Sequence, residues 1–403
     1  MDKDTKRHLG LIFLFVFVDL LGYSLILPLL PYFAETYSAS LTTVGLLGTA
    51  NALAQLIAAP VIGRFSDRYG RRPLLIFSIA GTVLSFTLLG LARSLPIIFL
   101  SRILDGLLGG NIALARAYIT DVTDEQNRAR GLGIIGAAFG LGFIVGPAMG
   151  GFLSRFGYNI PALLAAGLSL VNLVAVLLWL PESLSPERRS VLRHSPKTGF
   201  TFKALRQALT HPCAGPLLIL QLFYGLAFTL FQSNFTLFVK ERWGLTAENT
   251  SFVLTYVGVL SVIVQGFAIG RLTRRFGERK LMVVGMVGLA GTLTAWAFVP
   301  TVAWLLIVLA PLALAGGILG VMLTSQLTQS VTKEEVGGTL GLSAASQTLA
   351  QIVAPGMGGW MLEHISIWSV GLLAGLVMTG AVFFAQRHVL SVPESELACY
   401  LPE

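Results

Sequence analysis

An internal repeat constrains this chain more than any other feature. Gly63-Arg-Phe-Ser-Asp-Arg-Tyr-Gly-Arg-Arg-Pro73 returns in weaker form as Gly270-Arg-Leu-Thr-Arg-Arg-Phe-Gly-Glu-Arg-Lys280, an offset of 207 residues. Gly146-Pro-Ala-Met-Gly-Gly151 returns as Ala354-Pro-Gly-Met-Gly-Gly359, with Pro355 standing 208 residues after Pro147. Repetition over half of a 403-residue chain implies two like structural units. In a hydrophobic chain, such units pack around a central path through a membrane.

Composition supplies the hydrophobicity. The chain is 54% hydrophobic and 12% charged, with mean hydropathy +0.76, whereas soluble domains carry about 25% charged residues. A spanning helix needs ~20 mostly apolar residues. Twelve such stretches are legible, at roughly 9–33, 42–64, 73–93, 96–119, 130–153, 160–180, 213–239, 247–271, 280–299, 301–326, 337–361 and 366–387. The expected fold is therefore an all-α membrane protein of twelve transmembrane helices in two pseudo-symmetric six-helix halves. The halves are expected at 1–180 and 212–388, joined by a linker at 181–211 and followed by a tail at 389–403. Within the linker, Phe202, Leu205 and Leu209 have helical spacing beside Lys203 and Arg206. That pattern suits either a short amphipathic helix on a membrane surface or a solvated segment.

A net charge of +8 raises nucleic acid as a partner, and the placement of the charges rejects it. With the N-terminus cytoplasmic, twenty-two Lys and Arg face inward, and only Arg93, Arg155, Lys240 and Arg242 face outward. This is the positive-inside asymmetry, so both termini are expected in the cytoplasm of a cell (inner) membrane. Cys213 and Cys399 are far apart and lack metal-type spacing, so neither a disulfide nor a metal site is expected. The apolar run after Arg7 is too long for a signal-peptide core and reads as an uncleaved first span.

Several motifs make the chain resemble the major facilitator superfamily over essentially its full length, and within it the drug:proton antiporters nearest to tetracycline exporters. The first repeat signature matches the family's GxxxDRxGRRP loop. Asp19-Leu-Leu-Gly-Tyr-Ser-Leu-Ile-Leu-Pro-Leu-Leu-Pro31 is similar to the opening of that exporter group. Arg102 and Gly106 fit the fourth-span RxxxG pattern, and Ala115-Arg-Ala-Tyr-Ile-Thr-Asp-Val-Thr123 resembles the end of that span. Gly142-Phe-Ile-Val-Gly-Pro-Ala-Met-Gly-Gly151 matches the fifth-span element associated with antiporters.

The resemblance implies a conformational latch at the first inner loop, with Gly63 and Gly70 allowing a tight turn. Asp67 is expected against the positive end of the eleventh span, and Arg68 or Arg71 is expected to pair with Asp121. In the fifth span, Gly142, Gly146 and Gly150, with Gly136 and Gly140, form overlapping GxxxG spacings that let helices approach closely in lipid. Pro147 removes a backbone donor and is expected to kink the span. Gly151 completes that element, and Pro355 is its twin in the second half.

Charges inside the spans carry the expected chemistry, because each costs ~2.5–3.5 kcal/mol to insert and usually faces the interior. They are Asp19 in the first span and Arg102, Asp105 and Arg116 in the fourth. Arg102 and Asp105 are helical neighbours. Arg116 returns to nearly the same stripe if the helix is continuous, with Gly109 between them leaving room for the first span. A buried acid whose arginine partner moves can bind and release a proton. Asp19 is the first candidate for that role and Asp105 the second, with Arg102 as the modulating partner; a static ion pair is the structural alternative.

The second half offers amides and aromatics instead: Gln221, Tyr224, Phe228 and Gln232 on one face of the seventh span, and Gln347 and Gln351 on the eleventh. With Tyr23, these are the candidate substrate contacts for an uncharged or weakly charged amphiphile. Departures from the tetracycline pattern are Asp105 where the family usually has glutamine, and the lack of acidic residues in the third span. A tetracycline–metal chelate is therefore not expected as substrate. The leading expectation is proton-driven export of a hydrophobic or amphipathic molecule by a monomer, without cofactor. The alternatives are a metabolite facilitator or symporter and a lipid translocase. No nucleophile–base set or phosphate loop suggests an enzyme.

Overall fold

The computed structural model describes residues 3–185, 189–190, 210–211, 214–332 and 335–390. Most of the linker and tail expectations, including Phe202, Leu205 and Leu209, lie outside those residues, as do Cys213 and Cys399. The described chain is almost wholly helical. The first-half helices are α1 (Lys3–Ile26), α2 (Leu30–Glu35), α3 (Leu41–Tyr69), α4 (Arg71–Gly90), α5 (Leu95–Leu108), α6 (Asn111–Val122), α7 (Glu125–Leu153) and α8 (Asn159–Trp179). The second-half helices are α9 (Ala214–Trp243), α10 (Ala247–Ile263), α11 (Ile269–Phe276), α12 (Glu278–Ala297), α13 (Val302–Gln329), α14 (Val336–His364) and α15 (Ser369–Ala385).

Among the described residues, 11 helical stretches are long and apolar enough to cross a membrane. The twelfth long helix, α14, has 29 residues, but its Gly, Ser, Thr and Gln content keeps its hydropathy low. Three spans depart from the simple rods that hydropathy predicts. The first ends at Ile26 and restarts as α2, because Pro28 and Pro31 withhold the amide hydrogens a continuous helix would use. The fourth breaks at Gly109–Gly110 between α5 and α6. The eighth contains a π-turn at Val264–Ala268, between α10 and α11.

The repeat read from sequence reappears as a repeated packing scheme. In the first half α1 lies along α7 and α8, and α4 along α8 and α5. In the second half α9 lies along α14 and α15, and α12 along α15 and α13. The loop glycines repeat too: Gly70 (φ 109°) opens α4 and Gly277 (φ 78°) opens α12, both left-handed positions where a side chain would be strained. Gly63 makes no turn, contrary to expectation; α3 runs through it to Tyr69, and Gly70 alone reverses the chain.

The contacts divide the chain into two compact units: Met1–Ser40, Ala50–Thr198 and Leu245–Val259 in one, and Leu41–Thr49, Gly199–Gly244 and Leu260–Glu403 in the other. The first unit has an apolar core that includes Phe15, Leu20, Leu75, Ile79, Leu114 and Tyr118. In the second, Trp296 of α12 is fully buried against Phe231, Phe235 and Phe238 of α9.

Candidate functional site

The intramembrane charges gather in the first unit. Arg102 and Asp105, one turn apart on α5, form an ion pair at 3.5 Å. Asn51 of α3 holds that turn by donating to the Arg102 carbonyl at 2.9 Å and to Asp105 Oδ2 at 3.1 Å. The Arg102 guanidinium lies over the Phe86 ring and reaches the Ser85 and Ser101 hydroxyls. Gly106 lets α5 press on α3, since a Cβ there would meet the backbone of Asn51 and Gln55.

Asp19 is partnered differently. Its carboxylate accepts from the Asn111 amide, with Nδ2 at 2.5 Å from Oδ1. Tyr23, one turn along α1, is exposed, with its ring 6.5 Å from that of Phe143.

The break in the fourth span revises two expectations. Arg116 does not continue the Arg102 stripe, because the helical register is lost between α5 and α6, and its side chain is exposed. Gly109 does not make room for the first span; a Cβ there would strike the Asp105 carbonyl of its own turn. Ser78 of α4 staples the break, donating to the Leu108 carbonyl and accepting from the Gly110 amide at 2.8 Å.

At the α3–α4 turn, Arg71 is the organising cation. It donates to Asp67 Oδ1 at 2.6 Å, to Ser66 Oγ at 2.8 Å and to Asp121 Oδ2 of α6 at 2.9 Å. Of the two arginines expected at Asp121, Arg71 holds the place; Arg68 is exposed and lies over the Tyr69 ring. Arg72 donates to the Leu177 carbonyl of α8. Glu182, just past α8, accepts from the Arg71 amide at 2.8 Å and the Arg72 amide at 3.3 Å, so it caps α4 from outside the motif. The sequence reading missed it. The sole signal was its place in the Pro181-Glu-Ser break.

The glycines of α7 form a seam against α1. A Cβ at Gly142 would stand 3.1 Å from Leu20 Cβ, one at Gly146 would overlap Ser24, and one at Gly150 would meet the Leu25 carbonyl. Ser24 closes the seam by donating to the Gly142 carbonyl at 2.8 Å. Helix α7 continues unbroken through Pro147 to Leu153. Gly151 abuts Ser251 of α10, and its repeat partner Gly359 abuts Leu41 of α3. Pro355 packs on the other end of the same stretch of α3, against Gly45 and Gly48.

Of the second-half candidates, Gln221 is buried with its Oε1 unpartnered. Tyr224 and Phe228 stack at 5.6 Å, and the Tyr224 hydroxyl donates to the Gly316 carbonyl at 3.1 Å. Gln232, Gln347 and Gln351 are exposed. Gln326 and Gln329 donate to Glu278, as does Ser325. Glu278 stands 207 residues after Arg71, so the second copy of the loop signature reverses the charge at this position and replaces carboxylate partners by amides and a hydroxyl.

The profile of the Major Facilitator Superfamily matches residues 12–231 and 217–397. The chain belongs to that superfamily. It is similar to multidrug resistance protein 2 of Bacillus subtilis, at 31% identity covering 90% of each chain. It is also similar to the class C tetracycline resistance protein of Escherichia coli, at 31% identity covering 84% of this chain and 86% of that one. Among solved structures, the human organic anion transporter MFSD10 shares the fold with TM-score 0.73 at 20% identity, covering 95% of this chain and 100% of that one. The nucleoside transporter NupG shares it with TM-score 0.76 at 13% identity, covering 94% and 99%. The twelve-helix facilitator fold expected from the sequence is thus the fold of this chain, and the drug-antiporter resemblance agrees with its relatives.

Proposed function

We propose that this facilitator is a proton-driven exporter of hydrophobic or amphipathic small molecules, working by alternating access between the halves at 1–180 and 212–388. It acts as a monomer in the cell membrane, with both termini cytoplasmic. The observation that carries the reading is the contrast between two intramembrane acids. Asp105 has a guanidinium beside it, whereas the partner of Asp19 is a neutral amide. A carboxylate held in a span by a neutral donor can accept a proton without abandoning a cation, which suits a carrier that is loaded and emptied each cycle. Relatives named for multidrug and tetracycline resistance support the direction of transport and the breadth of the substrate class.

Arg102 and Asp105 set the electrostatic environment of that carrier. The Arg71 cluster, with Asp67, Gly70 and Asp121, is the latch, and the α1–α7 seam is the rigid element that moves with the first half. Tyr23, Gln221, Tyr224, Phe228, Gln232, Gln347 and Gln351 remain the proposed substrate contacts. The test uses purified protein in liposomes with ethidium as probe. An imposed proton gradient drives ethidium uphill with the wild-type chain. Asp19→Asn abolishes uphill movement yet retains ethidium exchange at equal pH. Uphill transport by Asp19→Asn overturns the carrier assignment.

A further inference from the structure

We propose that Asn111, the first residue after the break in the fourth span, is the positioning residue that sets the proton affinity of Asp19. This rests on the proposed role of Asp19 as carrier. Asn111 is buried, and its Nδ2 group spends both hydrogens, one on Asp19 Oδ1 and one on Thr82 Oγ1 at 3.1 Å. The Thr82 hydroxyl in turn donates to the Ser78 carbonyl at 3.3 Å. Asn111 Oδ1 is buried with no hydrogen-bond partner. A buried unpartnered carbonyl is costly, so its presence calls for an explanation.

The explanation lies in what an amide can do beside an acid that changes protonation. While Asp19 is charged it needs a donor, and Nδ2 supplies it. Once Asp19 takes a proton from water, its new O–H needs an acceptor, and rotation of the amide offers Oδ1. The same side chain therefore serves both states of the carrier, and an aliphatic residue would serve neither. The break makes this geometry available. Gly109 and Gly110 end α5, Ser78 staples the gap, and α6 starts with Asn111 facing α1.

The surroundings contain few competing groups. Helix α8 and the stretch of α7 from Gly131 to Leu153 carry no titratable side chain. On α6, Tyr118 and Asp121 are bonded to Pro181 and Arg71, and Arg116 is exposed. On α5, the charged groups are Asp105 and Arg102, paired with each other, and Tyr23 is the titratable neighbour on α1 itself.

The experiment measures the pH profile of proton-driven ethidium transport in proteoliposomes, with ethidium exchange at equal pH as a control for folding. Loss of the donor disfavours the charged acid, so Asn111→Ala should move the profile upward by about one pH unit, while exchange persists. Asn111→Gln should recover part of the shift. In the Asp19→Asn background, Asn111→Ala should have no further effect on exchange. An unchanged profile in Asn111→Ala, with Asp19→Asn still uncoupled, overturns this inference and leaves the carrier assignment standing. Uphill transport by Asp19→Asn overturns the carrier assignment instead. If Asn111→Ala does not assemble, Asn111→Thr takes its place, and a wild-type profile from Asn111→Thr, whose single hydroxyl hydrogen cannot keep both donor bonds, is refuting.

Discussion

Adding one methyl group at successive glycines of α7 should have effects that differ in sign, and the structure supplies the ranking. At Gly136 no atom lies within 4 Å of a new Cβ, so alanine gains the usual helical preference over glycine, about 0.5–1 kcal/mol. At Gly142 the methyl would stand 3.1 Å from Leu20 Cβ, 3.3 Å from the Leu20 carbonyl carbon and 3.4 Å from the Leu21 amide nitrogen, tight contacts that a shift of the helices by a few tenths of an ångström relieves. At Gly150 it would strike the Leu25 carbonyl oxygen, with the carbonyl carbon at 3.2 Å and Cα at 3.4 Å. Those are backbone atoms of α1, so relief requires the two helices to separate along their shared seam. Overpacking of this kind costs roughly 1–3 kcal/mol, and in lipid no hydrophobic gain between the helices offsets it. Thermal unfolding in one detergent should therefore rank Gly136→Ala at or above wild type, Gly142→Ala slightly below it, and Gly150→Ala lowest. Equal melting temperatures for Gly136→Ala and Gly150→Ala would refute the seam.

Other predictions rest on separate contacts. Arg71→Ala strips the guanidinium from Asp121, whose side chain is 5% exposed, and breaking such a buried pair costs about 3 kcal/mol even with Ser183 nearby. Asp67, at 43% exposure, adds little, so Asp67→Ala should be much milder in the same melt, and Arg71→Lys should recover only part of the loss because an ammonium lacks the fork. Asp124 caps α7 by accepting from the Asn127 amide at 2.8 Å, and that bond holds its carboxyl below the usual value. A depressed acid stabilises above its ordinary range and loses that contribution as pH falls. The melting difference between wild type and Asp124→Ala should thus be constant from neutral pH downward and shrink below roughly pH 4. A difference that grows on acidification would refute the cap.

Particular residues show how much was legible in the chain. The spacing of Arg102 and Asp105 was enough to make them neighbours on one helical face, because i and i+3 positions meet on any helix, and the structure pairs them at 3.5 Å. The glycines from Gly142 to Gly150 announced a close helix contact, though not that α1 would fill it. Arg68 and Arg71 were equal candidates for Asp121; the choice fell to Arg71 because Gly70 turns the chain and points the first residue of α4 back at α6. Asn111 carried no signal, since an asparagine in an apolar run looks like any neutral polar residue.

The sequence by itself determined the number of spans, the repeat that relates the halves and the location of the loop signature. Those features depend on composition and spacing along the chain, which hydropathy and motif periodicity record directly. Only the tertiary structure decided that the fourth span is two helices, that Asn111 meets Asp19, and that Glu182 caps α4. The contacts that hold these features join residues from 30 to 111 positions apart in the chain. Such contacts follow from how the helices pack, and no local pattern specifies them.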